Sequence, residues 1–286
     1  MAKRGKTRRK LRGGAFMKPT ARCQCKDSNG QQCGETVNDK SAFCKKHANC
    51  PLAPTNGFEP EKNPGRYNND PAIWKVHNCY SYSMNSVDPK LVNFCRKNNL
   101  QNCRNKFHQP GALHGQRNAL NASSRRTCPV VEKLMMADVP NMERSTYEAK
   151  CKQNTRKIAL VVDKGEDYHF YRQDDNGMWT HKDGSNKVKD YDALKNPIAN
   201  PETASRDYRW TGSDLNYEDF CGFYCVPHTD VVLGPGEPLN TKTGGTRQAA
   251  NQRERRVVQG AGLSWTDYPA KTLKSRRRSQ RQSRQV

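Results

Sequence analysis

The stretch KIALVVDKGEDYHFYRQDDNGMWTHK, residues 157–182, carries two strand signals of different kinds. Residues 158–162 are apolar without interruption, the pattern of a strand covered on both faces, and "KGED" behind them is turn-like. "YHFYRQ" (168–173) and "MWTHK" (178–182) flank "DDNG", which predicts a hairpin. If the loop is Asp175-Asn176-Gly177, Gly177 takes the left-handed position, Asp174 faces Met178 and Tyr171 faces His181. His169 and His181 then share a face on a diagonal within side-chain reach, whereas a two- or four-residue loop puts them on opposite faces.

Working outward, the upstream pattern is helical. "NCYSYSM" (78–84) can start a short helix, and Asp88-Pro89 caps and opens a second with Leu91, Phe94 and Cys95 on one face. Pro129 opens "PVVEKLMMA", with apolar residues at helical spacing. "FCGFYCVP" (220–227) reads as a further strand. Helices followed by an antiparallel sheet give an α+β class, not alternating β/α.

The chain of 286 residues has a formal net charge of +22, unevenly spread. Residues 1–22 hold 9 Lys/Arg and residues 271–286 hold 7, with no acid in either, so 23–270 carries only +6. Such runs are expected to be disordered alone and to bind polyanions, nucleic acid or an acidic virion-like surface, through Arg8, Arg9, Lys10, Arg12 and Arg276, Arg277, Arg278. No signal peptide and no membrane span are visible, which predicts synthesis in a reducing compartment for the 12 cysteines. Composition divides the chain into a basic arm (1–22), a Cys-dense module (23–50), a Pro/Gly/Asn-rich linker (51–73), a main domain (74–228) and a loose segment with a basic tail (229–286).

Cys23, Cys33, Cys44 and His47 form C-x9-C-x10-C-x2-H, ligand types suited to a four-coordinate structural zinc. Gly30 permits the turn that brings Cys23 towards Cys33, and a stretch this short needs a metal in place of a core. Cys25 and Cys50 fall outside the set, and disulfides among the six cysteines are the alternative. Arg22, Cys23, Gly30, Cys33, Phe43, Cys44 and His47 resemble a small module found in proteins of large DNA viruses and some bacteria.

In the main domain, Cys79 lies at a helix start, where unpaired N–H groups favour a thiolate, and His169 is the best-placed base, with His181 to orient it. A packed core thiol, a metal ligand or a disulfide partner are the other readings of Cys79, and Cys95, Cys103, Cys128, Cys151, Cys221 and Cys225 could form three bridges among themselves. C-x7-C (95–103) and C-x3-C (221–225) are locally close enough. The order Cys, strand His, then a polar residue about twelve positions later resembles NlpC-type members of the papain-like superfamily. Across 74–228, "NCYSY" (78–82), "QPG" (109–111), "DYHFYRQDDNGMWTHKDG" (167–184), Asn200-Pro201 and "CGFYCVP" (221–227) resemble a family of large DNA viruses and bacteria. The resemblance implies a papain-like fold, acyl transfer by Cys79 with His169 as base, His181 or Asn200 as its orienter, and the Cys79 N–H with Asn78 or Gln109 at the oxyanion. It implies a cysteine peptidase or amidase, or a domain derived from one, in a minor capsid or core component. Such a protein is made in the host cytoplasm and packed in the virion beside other capsid proteins. A purely structural or nucleic-acid-binding virion protein is the alternative.

Overall fold

The computed structural model describes residues 16–239, apart from 39, 99–102, 104, 105, 230 and 238. The described residues fall in one compact unit that runs to Leu239. The polyanion-binding residues Arg8, Arg9, Lys10, Arg12 and Arg276, Arg277, Arg278 lie outside the described residues.

Short helices come first: α1 (Gly65–Asn68), α2 (Pro71–Trp74), α3 (Cys79–Ser83), α4 (Pro89–Lys97) and, after a stretch of turns, α5 (Cys128–Asp138). Asp88 caps α4 as the sequence predicts, accepting from Lys90 N and Leu91 N; Asp70, in the segment expected to be a linker, accepts from Ala72 N, and Asn78 from Ser81 N, each supplying an acceptor to otherwise orphaned donors. The strands β1 (Glu143–Ser145), β2 (Thr155–Asp163), β3 (Asp167–Gln173), β4 (Trp179–Lys182), β5 (Val188–Lys189) and β6 (Asp219–Pro227) form one antiparallel sheet of order β1-β6-β2-β3-β4-β5. The class is α+β.

Central β2 explains the unbroken apolar run. Ile158, Leu160 and Val162 pack with Phe170, Tyr224 and the helical residues Tyr80, Val131, Leu134 and Met135. Ala159 and Val161 face the other way, with Tyr171, Trp179, Ile198 and Phe223. Loops cover that second face, including Ala53 from the segment expected to be a linker. Residues 51–73 are built into the domain: Gln173 Nε2 donates to Ala53 O (2.7 Å), and the Asn56 amide donates to the carbonyls of Cys151, Lys152 and Thr155. The start of the segment expected to be loose beyond 229 is also folded, with Gln109 N donating to Gly234 O and Gly236 N to Phe107 O.

Eight cysteines pair, as Cys25–Cys50, Cys95–Cys103, Cys128–Cys221 and Cys151–Cys225. Cys221 and Cys225 do not join each other, because four residues of strand separate their Cα atoms by about 13 Å. The β2–β6 register shifts so that Gly222 opposes Leu160 while Phe220 opposes Val161, leaving Cys221 as the extra residue of a bulge. The bulge turns Cys221 to the helical face, where it meets Cys128 at the start of α5. Four bridges fit an oxidising environment rather than the reducing one expected.

Candidate functional site

The β3–β4 hairpin has the three-residue loop. Asp174 N donates to Met178 O (2.9 Å), Gly177 has φ 79°, and Tyr171 stands opposite His181. His169 and His181 therefore lie on one face, and His169 Nε2 is 2.8 Å from His181 Nδ1. His181 Nε2 is 2.9 Å from Tyr191 O; a carbonyl only accepts, so Nε2 carries a proton, and in the neutral ring Nδ1 presents a lone pair. Asp183, two residues on and on the same side, brings Oδ1 to 3.0 Å from His181 Nδ1 and 3.6 Å from His169 Nε2. Lys189 Nζ pairs with the other oxygen of that carboxylate.

Cys79 opens α3 and is 6% exposed. Cys79, His169, Asp183 and Gln109 line one cleft of about 780 Å³, with Tyr168, Tyr208 and Tyr217 as aromatic walls. Cys79 packs on the helical side of β3, and its thiol donates to Tyr168 O (3.9 Å), while His169 projects from the opposite face against Tyr171 and Tyr217. The two residues share the cleft without being hydrogen-bonded to each other. Burial, then the Asp167 carboxylate, push the Cys79 thiol well above its ordinary range. This reverses the expected effect of the helix start: a five-residue helix supplies too little field to offset burial beside carboxylates. Burial, then repulsion from His181 where that ring is charged, lowers His169 to about 3, so its imidazole is neutral at pH 7. Burial opposes ionisation of Asp183, but a doubly protonated His181, with its Nδ1–H donated to Asp183 Oδ1 and its positive charge, outweighs burial and holds the carboxyl far below its usual range; a neutral His181 offers neither.

Buried Lys182 donates to Trp74 O (2.6 Å), Gly184 O (2.8 Å) and His77 O, tying the entry of α3 to β4. Desolvation lowers its ammonium to about 7.

The remaining expected site residues have other work. Asn78 caps α3 and lines the cleft beside Cys79; its Oδ1 accepts from Ser81 N and Ser81 Oγ, and one of its two amide N–H groups is donated to His108 O (2.9 Å). Gln109 does reach the cleft; its Oε1 accepts from Tyr168 OH, which leaves the NH2 as the group it offers there. Asn200 is not the orienter of His169. Its Oδ1 accepts from Glu202 N (3.0 Å), making a local turn in the loop on which the Cys-dense module docks. Asp183 stands beside the histidines in its place, and the i, i+2 spacing from His181 in "HKD" was the signal for it.

In the Cys-dense module, Cys23, Cys33, Cys44 and His47 are the four residues left after Cys25 pairs with Cys50, and their ligand atoms lie within 4.8 Å of one another. His47 Nδ1 is 3.4 Å from Cys44 Sγ and 3.7 Å from Cys23 Sγ. Three unpaired thiols and an imidazole converging in this way fit a metal ion. Gln24, between two of the module's cysteines, keys it to the domain: Oε1 accepts from Ala199 N and Asn200 N, and Nε2 donates to Pro197 O.

Among the described residues, no helix is long and apolar enough to cross a membrane. No family model and no solved structure matches the chain. Among curated proteins, Insoluble matrix shell protein 1 of Ruditapes philippinarum is 32% identical over 169 residues, which cover 59% of this chain and 88% of the relative. At that identity, and with nearly the whole relative spanned, the chain belongs to the same family as Insoluble matrix shell protein 1.

Proposed function

We propose that the chain carries a papain-like, NlpC-type thiol acyl-transfer centre in a disulfide-stapled protein of an insoluble extracellular assembly. The observation that carries the chemistry is the bond between His169 Nε2 and His181 Nδ1 beside the cleft that Cys79 lines. With Nε2–H donated to His181, the lone pair of His169 is on Nδ1, the nitrogen that can accept the thiol proton. Because the thiol is held protonated and the imidazole neutral, the proton moves only as sulfur attacks the substrate carbonyl. The Gln109 NH2 and the Cys79 backbone N–H are the oxyanion donors, and water or an amine then takes the acyl group from sulfur. Incubation with p-nitrophenyl acetate followed by peptide mapping tests this: an acetyl group on Cys79 is expected, absent from Cys79→Ala and slow to form in His169→Ala. A purely structural role, favoured by the burial of the thiol, predicts no adduct at Cys79.

The extracellular setting is supported by the matrix shell protein relative and the four bridges. Native protein is accordingly expected in an extracellular matrix fraction; recovery from virus particles would instead support the virion setting of the viral resemblance. We assign zinc to Cys23, Cys33, Cys44 and His47. One equivalent of zinc in the purified chain, lost in Cys44→Ser, is the expected result.

A further inference from the structure

We propose that His169, His181 and Asp183 form a second metal site, for a zinc-like divalent transition ion, which when filled switches the thiol centre off. The off-switch rests on the thiol reading above, whereas the site itself does not.

Three ligand atoms converge here: His169 Nε2, His181 Nδ1 and Asp183 Oδ1, with edges of 2.8, 3.0 and 3.6 Å. Two ligands held about 2.1 Å from one ion at 90–109° stand about 3.0–3.4 Å apart, so the triangle has the size of one face of a coordination shell. The protons do not fill it without conflict. His181 Nε2–H is committed to Tyr191 O, so a neutral His181 offers a lone pair at Nδ1. That lone pair can take the His169 N–H, but it also faces the Asp183 carboxylate oxygen at 3.0 Å, acceptor against acceptor. A second proton or a cation relieves the clash. An ion relieves it for all three atoms at once.

The surroundings are those of a metal centre. The ring nitrogen of His181 away from the triangle is bonded to a backbone carbonyl, and the second oxygen of Asp183 is held by Lys189. His169 and Asp183 line the cleft, which leaves a further coordination position open to water from that side. Two imidazoles select a transition ion over calcium or magnesium. Coordination through Nε2 places the ring's one proton on Nδ1 of His169, and that nitrogen can then no longer accept the proton of Cys79.

Titration with Co²⁺ of the full chain, its Cys-rich site first saturated with Zn²⁺, tests the site by a readout other than activity. Wild type and Cys79→Ala are expected to bind a further equivalent with weak visible absorption and no sulfur charge-transfer band. Asp183→Asn and His181→Ala are expected to lose affinity by about 10-fold or more. Absence of this equivalent from wild type, or its retention in both variants, overturns the site. For the switch, Cys79 alkylation by iodoacetamide is followed with and without the second equivalent of Zn²⁺. A fall in rate in wild type but not in Asp183→Asn is expected, and an unchanged rate with the ion bound overturns the switch. Metal binding by Cys79→Ala stands even if Cys79 proves to have no acyl-transfer activity, so the two failures are distinguishable.

Discussion

His169 Nε2 lies 2.8 Å from His181 Nδ1 across the β3–β4 hairpin, on the diagonal set by a loop whose last residue, Gly177, has φ 79°. A Cβ at Gly177 would be strained by that φ and would meet Leu52 Cδ1 at 3.2 Å. Gly177→Ala is expected to lower stability by about 1–2 kcal/mol in urea unfolding and to slow any reaction of Cys79 that uses His169. An unchanged midpoint would mean that the loop has another conformation and that the two histidines need not meet.

His77 is structural, and it makes the fold acid-sensitive. Its Nδ1 is 2.8 Å from Ile73 O and its Nε2 accepts from Asp88 N (3.0 Å), so the neutral ring with a proton on Nδ1 satisfies both. Burial is the main cause that lowers its pKa from 6.5 to about 4. Below pH 6.5 the unfolded chain binds a proton that the folded one refuses, so the contribution is complete above 6.5 and lost as pH falls to about 4, some 3 kcal/mol in all. The stability gap between wild type and His77→Gln should close by about that amount between pH 7 and pH 4. A gap that stays constant over the same range would show that His77 charges freely in the fold.

Gln24 is 2% exposed and holds two backbone N–H groups and a carbonyl of the 197–200 segment. Gln24→Ala strands all three in a buried place, at about 3 kcal/mol or more. Differential scanning calorimetry should show a lowered midpoint, together with faster proteolysis within residues 23–50. A variant as stable as wild type would mean that the module is not docked through this side chain.

The arms are expected to bind polyanions by counterion release. Charge-neutral replacement of Arg8, Arg9, Lys10 and Arg12, or of Arg276, Arg277 and Arg278, should weaken binding to DNA or to a sulfated polysaccharide. It should also flatten the log–log salt dependence by about 0.9 for each DNA phosphate contact removed. Binding that persists in high salt, or that survives both sets of substitutions, would place the contact elsewhere.

The β2–β3–β4 part of the sheet was legible because its signals are local, whereas the short edge strands β1 and β5 and the place of β6 beside β2 were not. The apolar run of β2, the turn at 174–177 and the period-two faces are fixed by near neighbours, and so was the meeting of His169 with His181. The metal-type residues of the module were legible from their spacing. Asn200 was misread because an Asn-Pro step says nothing of which side chain it will meet, and its amide closes its own turn on Glu202 N. The low-periodicity segment 51–73 was read as a linker because composition is blind to packing through polar atoms, as the three bonds of the Asn56 amide illustrate. The pairing of Cys128 with Cys221 depends on a bulge in β6, which no spacing in the sequence announces. The state of Cys79 was misjudged for a related reason: its helix start is local, whereas its burial, and then the Asp167 carboxylate of β3, come from distant packing.

The most direct test of a functional Cys79–His169 pair is the rate of Cys79 alkylation by iodoacetamide at pH 7, without added metal, in wild type, His169→Ala and His181→Ala. A thiol held protonated by its surroundings reacts slowly unless a base takes the proton during attack, which is worth about 10²–10⁴-fold. The expected result is a loss of that order in His169→Ala and a smaller one in His181→Ala, with peptide mapping to separate Cys79 from Cys23, Cys33 and Cys44. Equal rates in all three proteins would contradict the pair and leave Cys79 as part of the core.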